Sequence, residues 1–86
     1  MEIDLRAFTF TRELLALLPA ELARRYPILP LLESPGRVVV AMADPSDLGA
    51  IDAVHALLQR DVEICVAEEG QLHEFVTRLY GSDGAQ

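Results

Sequence analysis

The chain has 86 residues, enough for one small domain and no second core, because domains usually run to roughly 100–150 residues. Hydrophobic residues make up 51% of it, which excludes a disordered polymer. Aromatics are only 6% with no Trp, so the core has to be aliphatic. Seven basic against 14 acidic residues give a formal net charge of -7, which argues against nucleic acid and anionic lipid as main partners and suits a basic protein surface.

Cys65 is the only cysteine, so no internal disulfide is available and a stapled secreted mini-protein is excluded. The N-terminus starts acidic, Met1-Glu2-Ile3-Asp4-Leu5, without an apolar signal region. The longest apolar stretches, Leu14 to Ala20 and Val38 to Ala43, fall far short of the ~20 residues of a membrane span. The expected location is cytoplasmic, without direct membrane insertion.

Residues 1–10 read as an N-terminal arm. Its Ile3, Leu5, Phe8 and Phe10 suit an extended or docking segment. Thr11 to Leu18 reads as a short helix capped by Thr9 or Thr11. Pro19 then opens a second helix to Tyr26, with Glu21 in its first turn, and Pro27 ends it. Ile28 to Leu32 carries Pro30, which confines it to an edge strand or a strand end. Ser34-Pro35-Gly36 is a turn. Arg37 to Ala43 is apolar on both faces, as a central strand should be.

Asp44-Pro45-Ser46-Asp47 marks a helix start, with Asp44 or Ser46 as cap. That helix is expected to run to about Arg60, with Leu48, Ile51, His55 and Leu58 on one stripe and Val54 and Leu57 beside it. Asp61 breaks to a third strand, Val62 to Ala67. A last helix follows with Leu72, Phe75, Val76, Leu79 and Tyr80 on one face and Gly81 as its stop. Residues 82–86 are expected to fray. The fold class is α/β (α+β), a small three-stranded mixed sheet packed with helices in the order α-α-β-β-α-β-α. Residues 11–81 form the domain, and residues 37–67 form a parallel strand–helix–strand crossover.

At this point the sequence resembles a known family. LPAELARRYPILPL at residues 18–31, then VVVAMADPSD at 38–47, then Val62 to Glu69 and the Leu72-to-Gly81 helix ending in Leu-Tyr-Gly, are similar to the N-terminal domain of type II secretion and type IV pilus assembly ATPases. The resemblance covers residues 11–81. It implies a domain ahead of the motor that docks the ATPase onto the cytoplasmic part of a membrane-platform protein, or a small regulator of the same type tied to motility. A related longer form binds cyclic di-GMP through Arg-Leu-Gly-type repeats in a preceding helical segment. This sequence has no Arg-Leu-Gly and corresponds to the second half of that domain, so the resemblance implies cyclic di-GMP as the alternative function and an unlikely partner. The chain contains no Lys, so it cannot supply a Gly-x-x-x-x-Gly-Lys-Ser/Thr phosphate loop. No enzyme and no cofactor are expected.

The individual residues support the same reading. His55 and His73 match no zinc spacing, and Cys65 sits mid-strand as a buried thiol with no partner base. Asp44, Asp47 and Asp52 are better explained by a helix start and a solvated face than by acid–base work. Arg24-Arg25 ends a short helix, where cations favour the dipole, and also suits an acidic partner. Phe8, Phe10, Leu14 and Leu15, with Leu17 and Leu18, exceed what one helix face can bury. They either cover the sheet or form a docking patch. The candidate partner-binding residues are therefore Phe8, Phe10, Leu14, Leu15, Arg24 and Arg25, with no catalytic or metal residue.

Overall fold

The computed structural model describes residues 2–81; the expected tail at 82–86 lies outside the described residues. Three strands carry the sheet: β2 (Ile28–Ser34), β3 (Arg37–Met42) and β4 (Asp61–Ala67). A fourth, β1 (Glu2–Ile3), comes from the N-terminal arm and adds two residues beside the end of β4. The order is β1-β4-β3-β2, with β2 antiparallel to β3 and the other two pairings parallel. The mixed sheet and its crossover are thus as the sequence implies, with one short strand more.

The hairpin between β2 and β3 turns on Pro35-Gly36, and Gly36 takes φ 79°, a conformation open to glycine because it lacks a Cβ. In β2 the register shifts between Pro30, opposite Val40, and Leu32, opposite Val39. Leu31 is therefore a bulged residue. The proline lies on an edge strand, where its missing N–H costs no ladder bond. The bulge also puts Leu31 and Leu32 successively toward one face. Leu31 is buried there, while Leu32 is 56% exposed.

Helix α1 (Arg12–Leu15) is capped by Thr11, whose Oγ1 accepts from the Leu14 amide at 3.1 Å. Helix α2 (Ala20–Arg25) starts one residue later than expected, with Pro19 at the cap position. Helix α3 (Leu48–Leu58) corrects the sequence reading twice. Its cap is Asp47, which accepts from the Ala50 amide at 3.2 Å. Asp44 is instead committed to Ser46, accepting from its amide at 3.0 Å and its hydroxyl at 2.6 Å. Two residues of local turn thus precede the helix. The buried stripe is Ala50 and Val54, flanked by Ile51 and Leu58, while Leu48, His55 and Leu57 face solvent. Small Ala50 lets the helix approach the sheet closely, a contribution that a count of large apolar residues overlooks. Gln59 ends α3 in the left-handed region, φ 54°. Helix α4 (Glu69–Tyr80) is capped by Glu68 and stops at Gly81, as expected.

The two faces of the sheet carry separate cores. Val38, Val40 and Met42 meet Ala50 and Val54 of α3, with Leu18 and Ile28 at the same level. On the other face Leu29, Leu31, Ala41 and Ala67 meet Leu72 and Val76 of α4, together with Leu5 and Ala23.

Candidate functional site

Helix α4 starts at the end of β4 and ties down the N-terminal segment at three levels. At its first turn Gln71 accepts from the Leu5 amide at 3.0 Å and donates to Asp4 at 3.2 Å. One turn on, Phe75 packs against Phe10 with ring centroids 6.0 Å apart, and the Arg78 guanidinium lies 5.2 Å over the Phe75 ring. At its end the Tyr80 hydroxyl donates to the Leu15 carbonyl at 2.8 Å. Burial pushes the Tyr80 phenol up to about 12. Hydrogen bonds from the Arg6 guanidinium and amide hold Asp4 down to about 2.

These contacts locate the candidate partner residues. Leu14 is buried, and Phe10 and Leu15 are half-buried against the α4-side core. Their apolar surface is largely used inside the domain. Phe8 is also half-buried, but it lines an open groove. Arg24 and Arg25 sit in the last turn of α2, Arg24 half-buried and Arg25 exposed, away from that groove's lining.

The groove, about 550 Å³, occupies the half of the sheet face that α4 does not reach. Its floor is Val39 and Cys65, with Leu32 and Phe8 as apolar walls. An ion pair between Arg37 and Glu63 crosses the sheet at its mouth. Glu33, also on the lining, is held by Arg60 at 2.6 Å. Two further hollows lie at the same hairpin end of the sheet, around Gly36 and Arg60. The residues the sequence reading missed here are Leu32, Val39, Arg37 and Glu63. Pro30 inside an apolar run was the available signal, because a bulge there is what leaves Leu32 outward.

The chemistry of this groove is that of a binding surface. It offers apolar area flanked by charges already paired, and Cys65 has no histidine beside it on the lining. Both histidines are exposed. Among the described residues no three His, Cys, Asp or Glu side chains converge to hold a metal, and no helix is long and apolar enough to cross a membrane.

Comparison with known proteins decides the family. The MshEN domain model matches residues 2–86, nearly the whole chain. The chain belongs to the MshEN domain family. As an MshEN domain it is similar to the type IV pilus assembly ATPase PilB of Myxococcus xanthus, 30% identical over 82 residues. It is also similar to PilB of Thermus thermophilus, 36% identical over 70 residues. These matches take in 95% and 76% of this chain but only 14% and 8% of those ATPases. Among solved structures, MshE with cdg is 33% identical with a TM-score of 0.79, covering 90% of this chain and 56% of that one. The N-terminal domain of XpsE shares the fold, with a TM-score of 0.75 at 22% identity, covering 90% of this chain and 55% of that one. The MshEN domain is thus homologous to a part of type IV pilus assembly ATPases.

Proposed function

We propose that this MshEN domain is a non-catalytic protein-interaction and regulatory module of a secretion or type IV pilus ATPase. It docks onto a motor, membrane-platform or motility protein through the groove between Phe8, Leu32 and Val39. The observation that carries this reading is the family match together with an open apolar groove on an otherwise packed sheet. Apolar contact at Leu32 and Phe8 supplies affinity, and the Arg37–Glu63 pair at the groove mouth orients the partner. The test is titration with the purified cytoplasmic part of a pilus or secretion platform protein. Leu32→Glu is expected to weaken binding by roughly tenfold or more without loss of fold. Binding unchanged in that variant removes the groove from the proposal.

A second reading is a cyclic di-GMP-binding module, which the sequence alone sets aside for want of Arg-Leu-Gly. It is favoured by the MshE structure, solved with cdg and similar over 90% of this chain. Calorimetric titration of the domain with cyclic di-GMP separates the two. Saturable heat supports the nucleotide reading, and a flat trace removes it.

A further inference from the structure

Helices α3 and α4 pack on opposite faces of the sheet, and their outward sides differ. Along α4 the exposed side chains are polar: Glu69, His73, Glu74 and Arg78, the last two joined as an ion pair. Helix α3 reads Leu-Gly-Ala-Ile-Asp-Ala-Val-His-Ala-Leu-Leu, with Asp52 and His55 as its only polar side chains. A helix apolar on every side is normally covered on every side. Here Ala50 and Val54 are buried against the sheet, but Leu48 is 69% and Leu57 47% exposed. Among the described residues these are two of the three exposed large apolar side chains, the third being Leu32 in the groove.

At about 3.6 residues per turn, Gly49, Ala53 and Ala56 fall along one outward line of α3, with Leu48 to one side of it and Leu57 to the other. The Asp47 carboxylate lies 3.6 Å from where a Cβ on Gly49 would stand, and beyond it nothing packs there. Small residues in such a line leave a trough that the side-chain ridge of a second helix can enter. Three carboxylates border it, Asp44 and Asp47 at the start of the helix and Asp52 one turn on from Leu48. Among the described residues none of the three has an ion-pair partner. Arg6, Arg37, Arg60 and Arg78 are matched instead with Asp4, Glu63, Glu33 and Glu74, and His55 on α3 pairs with no carboxylate. Hydrogen bonds from Ser46 and the Ala50 amide orient Asp44 and Asp47 but bring no positive charge.

We propose that the outward face of α3 takes a basic amphipathic helix of a partner protein. The apolar ridge of that helix lies in the trough between Leu48 and Leu57, and its basic side chains meet Asp44, Asp47 and Asp52. Charge selects this occupant over a second copy. Asp52 lies near the middle of the face, so two copies face to face would bring these carboxylates together, each in a chain of net charge -7. The proposal rests on the interaction-module reading. It adds a second surface, across the sheet from the groove, and the conformation and charge of what binds there.

The probe is a short capped helical peptide with leucine and alanine on one face and arginine on both flanks, with a control of the same composition in shuffled order. The peptide is expected to bind saturably and to shift the amide resonances of Gly49, Ala53 and Ala56. Asp52→Arg and Ala56→Gln replace exposed residues and should keep the fold. Each should weaken peptide binding roughly tenfold, the first by reversing a charge and the second by filling the trough. Leu32→Glu, on the other side of the sheet, should bind the peptide as the wild type does. Equal binding of the shuffled control would overturn the proposal. So would affinity unchanged in either α3 variant, shifts confined to residues off α3, or shifts on α3 that grow with protein concentration alone, the mark of a second copy. Platform-protein binding that is lost in Leu32→Glu while the peptide shifts nothing rejects the α3 face and leaves the groove reading intact. Absence of both rejects the two together.

Discussion

The two faces of the sheet are built differently. The α3 face is closed: Val38, Val40 and Met42 are buried along its length beneath one helix. That helix is the crossover between β3 and β4, so it must run back along both strands, and its 11 residues reach about 16 Å. The opposite face is covered only in part, by α4 and the N-terminal segment. Helix α4 leaves from the end of β4, so it covers Ala41 and Ala67 but not Val39, Cys65 or the Arg37–Glu63 pair. A crossover helix covers its sheet by construction, whereas a helix that follows the last strand covers only where it starts. The uncovered half is available to another molecule.

The largest expected effect tests the closed face. Val40→Asp sets an unpaired charge in the central strand at a position with no exposure, and is expected to cost more than about 4 kcal/mol. A urea melt cooperative and near wild type would mean that Val40 does not face α3. Next comes the cap of that helix. Asp47→Ala should lose about 0.5–2 kcal/mol, while Asp44→Ala, outside the helix, should lose less. The reverse ranking of urea midpoints would return the cap to Asp44.

The closed face was the more legible of the two. Alternation in Val62 to Ala67, the apolar run from Val38 and the helix signal at Asp44 to Asp47 suffice for a parallel crossover, because all three are local patterns. The phase of α3 was misread because Leu48 and His55 outweighed Ala50, and side-chain size does not tell which stripe faces the sheet. The open face was hardly legible. Its boundary depends on the bulge at Leu31 and on Gln71, Phe75 and Tyr80 reaching residues more than sixty positions away, and neither leaves a periodic trace. The same contacts explain why Phe10 and Leu15 looked surplus: their partners lie at the far end of the chain.

A smaller effect tests the tie that holds the half-covered face. Tyr80→Phe removes the donor to the Leu15 carbonyl and should cost about 0.5–1.5 kcal/mol. Burial places the phenol's folded value at about 12, above its ordinary 10.0. Between those values the folded chain keeps a proton that the unfolded chain has released, so stability contributed by Tyr80 falls as pH rises above 10. Melts of wild type and Tyr80→Phe should therefore differ less at pH 11 than at pH 8. A gap that stays constant would mean that Tyr80 titrates alike in both states.

The smallest effect on stability falls in the groove itself. Leu32 is 56% exposed, at the point where the bulge turns β2 outward, so Leu32→Glu removes little buried area and should shift stability by no more than about 0.5 kcal/mol. Partner affinity should fall in the same variant, because a charge placed on the apolar wall must be desolvated when the groove is covered. The pairing of these two readouts is what separates an open face from a poorly packed one. If the groove were simply a packing defect, filling or charging it would move the melt and leave binding alone. If it is the docking face, binding moves and the melt does not.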